Sequence, residues 1–330
     1  MTEEHRIKRI QTGDAKVGLI LNPLSGRIRK RKDTIKHVLV KIPGVIFREA
    51  KNKPEFEEAV DELLDAEIDL LVIAAGDGTV QAILSHLFTE CARADWPILA
   101  IIPGGTTNMT ALDLVKYDDP QDSAKKLSQY MLTRTLPVLL KRHVLCIEQA
   151  GTDKVYGMFF AVGIIARAVI FSRSGIKQVR ITGEIYSGLI MLGYFIGLIL
   201  RRRTGAWAPA KMKTAKVGER NYDGTHQFLF ASVLDRLLFN MRPYWGKEQE
   251  PIHITFVKQK RKKSIRSILP LISGRGEVLK EDDGYHSYNG SVLELTIDDD
   301  YIVDGESYHA ASKNGPLKVS AAGPVTFLTW

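Results

Sequence analysis

Cysteine is nearly missing from this chain, with Cys91 and Cys146 the two present in 330 residues. Two thiols cannot build a disulfide scaffold, and neither sits in a metal-ligand spacing, so both read as buried thiols of a reducing cytoplasm. No G-x-x-x-x-G-K-[ST] segment occurs, which excludes a P-loop. No G-x-G-x-x-G follows a predicted strand, which removes the dinucleotide fingerprint. The opening "MTEEHRIKRIQTGDAK" is polar and mixed in charge, so no secretory signal is expected. Neither a repeat period nor a low-complexity linker is visible. One apolar run, "IYSGLIMLGYFIGLIL" from Ile185 to Leu200, raises the question of a membrane span. It falls short of the ~18 to 20 residues that a spanning helix needs, so a long buried or interfacial helix is expected.

What is there suits a globular protein. Hydrophobic residues make up 45% and charged residues 25% of the chain, and its length allows two ordinary domains with a sizeable core. The net charge of +8 suggests an anionic partner, a nucleotide, a nucleic acid or an anionic lipid surface.

The first part alternates strands and helices. "VGLILN" (Val17–Asn22), "GVIFREA", "IDLLVIAA" (Ile68–Ala75) and "WPILAIIP" read as buried strands. Between and after them, residues 30–41, "KPEFEEAVDELLDAE", "VQAILSHLFTECA" and the segment opened by "GGTTNMTALDL" have helical spacing. That order predicts a doubly wound sheet of parallel strands with helices on both faces. Near Thr135 the pattern changes to short strands with turns between them. These are "TLPVLLKRHVLCIEQ", "KVYGMFFAVG", "KMKTAKVG", "HQFLFASVL", "PIHITFVKQ", "GEVLKE", "SVLELTID" and "YIVDGESYH". They predict a β-sandwich-like antiparallel domain over 136–315, after an α/β domain over 1–135. The closing "GPLKVSAAGPVTFLTW" reads as two strands separated at Ala322-Gly323-Pro324, and 316–330 are expected to complete the first domain.

Three loops follow strand ends in the first domain: "NPLSGR" (Asn22–Arg27), "GDGT" (Gly76–Thr79) and "PGGTTN" (Pro103–Asn108). In a doubly wound sheet all three gather at the carboxyl edge, where ligands bind. Glycine lets backbone N–H groups approach a phosphate, and a following helix adds a positive dipole end. Each loop alone is also an ordinary tight turn; three at successive strand ends point to a nucleotide-phosphate site. Far along the chain, Asp304, Gly305 and Glu306 end an apolar strand. Two carboxylates there could deprotonate a hydroxyl or hold Mg²⁺, although Asp-Gly is equally a hairpin turn.

The motifs "NPLSG", "AGDGT", "PGGTTN" and the late "DGE" resemble, in order and spacing, the diacylglycerol kinase catalytic family, which includes bacterial lipid kinases and sphingosine kinases. "FFAVGIIARAV" (Phe159–Val169) resembles the family's opening of its second domain. The resemblance implies a phosphofructokinase-like nucleotide domain joined to a β-rich lipid-binding domain, with the active site in the cleft between them. It further implies ATP near Asn22, Ser25, Gly26, Gly76, Asp77, Gly78, Thr79 and Thr106, with Asp77 positioning nucleotide or Mg²⁺. Asp304 is then the general base for a lipid hydroxyl, helped by Glu306 and a nucleotide-bound Mg²⁺. Arg173 and Arg180 stand where family arginines lie near the phosphates, with solvated surface charge as the other reading.

Two positions depart from the family. Ala75 stands where the loop usually begins with glycine, and Met109 where many members carry aspartate after Asn108. Asp113 lies one helical turn on and could replace that aspartate, so Asn108 and Asp113 are the candidate acceptor-positioning residues. Glu248 and Glu250 are the only acidic candidates where some bacterial members hold a structural metal, and no metal is expected there.

The stretch "KQKRKKSIRSILPLISGR" sets six basic residues, Lys258 to Arg266, beside Ile265, Ile268, Leu269, Leu271 and Ile272. Such a cluster suits an anionic membrane surface, or is a solvated run beside a packed helix. Nucleic acid is not expected, because no aromatic interleaving accompanies the charge. The expectation is a cytoplasmic, peripherally membrane-associated kinase using Mg·ATP on a lipid, by default diacylglycerol. A homodimer is compatible with it. The alternatives are a kinase of a soluble acceptor, since NAD kinases and phosphofructokinases share the G-D-G loop, and a non-catalytic lipid- or nucleotide-binding protein.

Overall fold

A computed structural model describes residues 2–93, 96–115, 119–133, 138–176, 210, 212–237, 240–259 and 266–330. Arg180, the apolar run Ile185–Leu200 and residues 260–265, which hold four of the six basic residues, lie outside the described residues, and so does the side chain of Arg173. The chain divides into two compact units, one of residues 1–142 and 323–330, the other of residues 143–322.

The first unit runs α1 (Glu3–Thr12), β1 (Val17–Leu21), α2 (Lys32–Leu39), β2 (Val45–Glu49), α3 (Lys53–Asp65), β3 (Leu70–Ala75), α4 (Asp77–Glu90), β4 (Ile98–Pro103), α5 (Met109–Leu114) and α6 (Pro120–Thr133). β1, β3 and β4 are buried at every position, which is why they read as unbroken apolar runs. They pair in parallel in the order β2-β1-β3-β4, and Phe327 near the C-terminus pairs in parallel with Leu99. Alternate residues feed opposite faces. Val17, Leu19, Leu21, Val72, Ala100 and their neighbours pack with Ile10 of α1, Ile35 and Leu39 of α2, and Leu127 of α6. On the other face Gly18 receives Leu63 of α3: a Cβ there would lie 3.1 Å from Leu63 Cδ1. Helices therefore cover both faces of a parallel sheet, as the strand-helix alternation predicts.

α1 was not expected. It is capped by Thr2, whose side chain accepts from the His5 amide, and it docks through Arg6 and Ile10. Arg6 is 3% exposed and its Nη1 donates to the Ile68 carbonyl at 2.6 Å, while Arg9 Nε lies 3.3 Å from the buried Asp69 carboxylate. The polar face of "EEHRIKRI" hides this docking, because the buried positions are an arginine and an isoleucine four apart.

The second unit is antiparallel and β-rich. It contains β5 (Val138–Glu148, from His143 on), β6 (Val155–Gly157), β7 (Phe159–Gly163), α7 (Ile164–Ile176), β8 (Met212–Val217), β9 (Arg220–Asp223), β10 (His226–Ser232), β11 (Ile252–Lys258), α8 (Ile268–Ile272), β12 (Tyr285–Gly290), β13 (Val292–Ile297), β14 (Asp299–Val303), β15 (Glu306–Ala310) and the first part of β16 (Leu317–Thr329). One sheet has the order β12-β11-β10-β7-β14-β15; elsewhere β13 lies between β16 and β8, and β8 pairs β9.

The second unit differs from expectation in several details, among them β9 and β12, which were not foreseen, and "YIVDGESYH", which is the two strands β14 and β15. "GEVLKE" is not a strand: Gly276–Val278 and Glu281–Asp283 are short 3-10 turns, and Gly276 sits under the Trp245 ring, where a Cβ would come within 2.0 Å. The C-terminal segment is one strand, β16, which passes through Gly323 at φ 93°. "KVYGMFFAVG" is two strands, β6 and β7, interrupted at Met158.

Candidate functional site

In the first unit the strand order reverses direction between β1 and β3, since β2 lies outside β1 and β4 outside β3. The carboxyl ends of these strands are where open α/β sheets bind ligands. The loops after β1, β3 and β4 meet there and are bonded to one another. Asn22 Nδ2 donates to Thr79 Oγ1 at 2.9 Å, and the Gly76 amide donates to Ser25 Oγ at 3.2 Å. The Arg27 amide donates to the Gly104 carbonyl at 2.9 Å, and the Gly104 amide to the Ala75 carbonyl at 2.8 Å. A Cβ on Gly26 would lie 3.3 Å from Thr106 Oγ1.

Two of the glycines are required by this contact. A Cβ on Gly76 would come within 2.9 Å of Gly105 Cα, and one on Gly105 within 2.7 Å of Gly76 Cα. The loops after β3 and β4 therefore touch backbone to backbone. Ala75, the departure one residue earlier, is buried at the end of β3 opposite Pro103, and its methyl is accommodated there.

Asp77 is 7% exposed. Its Oδ2 accepts from Thr107 Oγ1 at 2.8 Å and from the Met109 amide at 3.1 Å, and its Oδ1 from the Thr110 amide at 3.2 Å. The carboxylate caps α5 from another loop, because Asn108, the residue in the capping position, makes no side-chain cap. Burial pushes the Asp77 pKa above the ordinary carboxylate value, and the donors from Thr107, Thr110 and Met109 oppose that rise. Both Asp77 oxygens are thus engaged by the loop that follows β4 and the start of α5.

Asn108 and Asp113, the candidate acceptor-positioning residues, also have protein partners. Asn108 is 1% exposed at φ 49°, with Oδ1 accepting from the Gly105 amide at 2.6 Å and Nδ2 donating to the Gly105 carbonyl at 3.0 Å. It closes its own loop. Asp113 Oδ2 lies 3.1 Å from Arg142 Nε, and the Asp113 side chain is 2% exposed, so its carboxylate serves an ion pair. Met109 enters the site through its amide, which any residue other than proline supplies.

What the loops leave to a ligand is backbone. α4 begins at Asp77 with Gly76 as an N-cap that has no side-chain acceptor. Among the described residues the amides of Asp77 and Gly78 donate to no protein group, and Gly78 is only half-buried. Thr106 is exposed, and Ser25 and Thr107 are half-buried. Uncapped amides at the start of a 14-residue helix, with hydroxyls beside them, are donors of the kind that suit an anion. That donor set fits the phosphates of a nucleotide. It does not fit a protein-held Mg²⁺, which prefers carboxylates at near-octahedral geometry.

In the second unit Asp304 and Gly305 are the two central residues of a hairpin joining β14 to β15, with φ values of 47° and 87°. Left-handed angles at both make it the turn that Asp-Gly favours. The hairpin reading and the functional reading therefore coexist at one residue. Asp304 is 4% exposed, and its two oxygens accept from the Met158 and Phe159 amides at 2.9 Å each. Those amides are available because the chain leaves β6 at Gly157 and enters β7 at Phe159. A Cβ on Gly157 would come within 2.6 Å of Asp304 Oδ2. Glu306 follows as the first residue of β15, half-buried and paired in register with Val303. The sequence reading missed the Met158–Phe159 cradle; Gly157 before two apolar residues was its one signal. Glu248, a candidate in the second unit, accepts from the Asn289 amide at 2.9 Å.

Comparison with known proteins shows what the chain is similar to. Residues 16–139 match the model of the diacylglycerol kinase catalytic domain, a span that holds "NPLSG", "AGDGT" and "PGGTTN". A solved diacylglycerol kinase from Bacillus anthracis str. Sterne is similar in fold, with a TM-score of 0.65 and 18% identity over 95% of this chain and 96% of that one. A provisionally assigned diacylglycerol kinase from the same organism gives a TM-score of 0.66 at 17% identity, over 95% of both chains. No curated protein matches the sequence.

Proposed function

We propose that this chain, whose residues 16–139 carry the diacylglycerol kinase catalytic domain match, is an ATP-dependent lipid kinase that phosphorylates diacylglycerol to phosphatidic acid. The observation that carries the reading is the junction of three bonded loops around the uncapped start of α4, inside the matched segment. In this reading the Asp77 and Gly78 amides and the Thr106 hydroxyl take phosphate oxygens of ATP. Asn22, Ser25, Gly26, Gly76 and Thr79 hold the loops in place. Asp77 acts twice, through its amide toward phosphate and through its carboxylate as the cap of α5. Mg²⁺ would come with ATP as its counter-ion and would neutralise charge on the transferred group.

Phosphoryl transfer needs positioning and charge neutralisation more than covalent catalysis. A lipid primary hydroxyl attacks the γ-phosphorus, the bond from that phosphorus to the bridging oxygen breaks, and ADP leaves. The hydroxyl proton passes to the Asp304 carboxylate, which its two amide donors hold in one orientation. Glu306 supports that step, and Arg180 adds positive charge to the phosphates.

Peripheral contact with an anionic membrane belongs to the same proposal. Among the described residues no helix is long and apolar enough to cross a membrane. Leu269 of α8 is 70% exposed and follows the basic cluster directly in sequence, the arrangement of a surface-seated helix.

The test is incubation of the protein with γ-labelled ATP, Mg²⁺ and a panel of lipid and soluble acceptors. Label in phosphatidic acid supports the reading; label in a soluble product makes the chain a kinase of another class. Nucleotide or lipid binding with no label transferred to any acceptor replaces the reading with a non-catalytic binding role.

A further inference from the structure

α3 and α4 lie side by side on one face of the parallel sheet, and their C-terminal ends bring together three side chains that no part of the kinase reading uses. His86 of α4 is 8% exposed, and its Nε2 is 2.7 Å from Oδ1 of Asp61 on α3. Cys91 Sγ is 4.0 Å from the same oxygen. The three potential ligand atoms all lie within 4.8 Å of one another. Cys91 follows His86 by five positions and would not share its face on a continuous helix. The helix ends at Glu90, however, and Cys91 continues in extended conformation at φ −103° and ψ 135°. The Trp96 indole N–H donates to the Cys91 carbonyl at 3.3 Å and steadies that exit.

We propose that Asp61, His86 and Cys91 form a zinc-class metal site, open on one side to a water or a further ligand. A thiolate, an imidazole and a carboxylate are ligands for Zn²⁺ or Co²⁺; Mg²⁺ and Ca²⁺ take oxygen sets. Tetrahedral bonding places such ligand atoms roughly 3.4–3.6 Å apart, between the 2.7 Å and 4.0 Å seen here. Small side-chain rotations close the difference. Asp61 has 58% side-chain exposure, which gives the ion an entry path. Binding releases the Cys91 proton to solvent as the thiolate forms on the metal. The site ties α3 to α4 at the far end of the helix whose start is the proposed phosphate site. Along α4 that separation is roughly 20 Å, so the ion is distinct from any Mg²⁺ brought by ATP. Cysteine spacing gave no hint of it, because the ligands come from two helices and a helix exit.

The experiment titrates the full chain with CoCl₂ under reducing conditions and reads the cobalt–thiolate charge-transfer band, then displaces cobalt with ZnCl₂. The expected result is one saturable ion per chain with a thiolate band, unchanged by excess Mg²⁺ and ATP. Cys91→Ser removes the band, and His86→Ala weakens Co²⁺ binding at least about tenfold. Cys146→Ala, at the chain's other cysteine, keeps both. Circular dichroism verifies that each variant is folded. A band that survives Cys91→Ser, or no saturable Co²⁺ or Zn²⁺ binding by the folded wild-type chain, overturns the proposal.

Discussion

Asp304 and Asp77 are both buried carboxylates that accept from backbone amides, yet they are assigned different work. Asp77 is surrounded by donors from one loop and the start of one helix, which makes it a fastener. Asp304 sits on a two-residue turn, with one amide on each oxygen. Asp304→Asn turns one acceptor into a donor that faces an N–H group. The expected loss of stability is about 1–3 kcal/mol, and turnover should fall at least about 100-fold. ATP affinity should stay unchanged, because the proposed nucleotide loops belong to the other unit. Single-turnover kinetics, equilibrium ATP binding and thermal unfolding check the three parts separately. Gly105→Ala should do the reverse. Its methyl meets Gly76 Cα at 2.7 Å and forces the loops apart, so ATP affinity should fall about tenfold, with about 1–3 kcal/mol lost in stability. Unchanged nucleotide binding in that variant would show that the loop junction does not shape the site.

Among the elements, α5 depends on a residue outside itself. Asp77→Ala leaves the Thr107, Met109 and Thr110 donors without their acceptor and should cost about 1–2 kcal/mol, the usual range for a lost cap. Weaker ATP binding should accompany it, and calorimetry of the variant reads both.

The strands β10, β11 and β12 carry a pH signature. His226 is 0% exposed, and His286 is 4% exposed and stacked on Phe256 at 4.6 Å. Burial pulls both pKa values down to about 4, with Lys258 adding to the effect. Each folded pKa is below the unfolded value of about 6.5, so the unfolded chain binds more protons between the two. Stability should therefore fall as pH drops from about 6.5 to about 4, by roughly 3 kcal/mol or less per histidine, and then level off for this pair. Denaturant unfolding across that window measures it, and His226→Leu should flatten the slope. A slope unaltered in that variant would mean that His226 is not held neutral.

The elements also show what the sequence made legible. β1, β3 and β4 were readable because full burial leaves no polar letter in them, and the helices because their apolar positions recur at helical spacing. α1 was not, since an arginine occupies a buried position, and the break at Met158 was not, since "YGMFF" reads as one apolar run. At the site, residue types on the strand ends were legible and their bonding was not. Nothing near Asp113 in sequence announces Arg142, 29 positions away, as its partner. The backbone amides of Met158 and Phe159 have no letter of their own.

For the whole molecule, the proposed reaction would draw phosphate donors from the first unit and a carboxylate from a turn of the second. The most direct measurement is thin-layer analysis of vesicles containing diacylglycerol and anionic phospholipid after incubation with γ-labelled ATP, Mg²⁺ and the protein. The account predicts label in phosphatidic acid with the wild-type chain and none with Asp304→Asn. Equal labelling by both chains, or none by a folded wild-type chain that binds ATP, would contradict it.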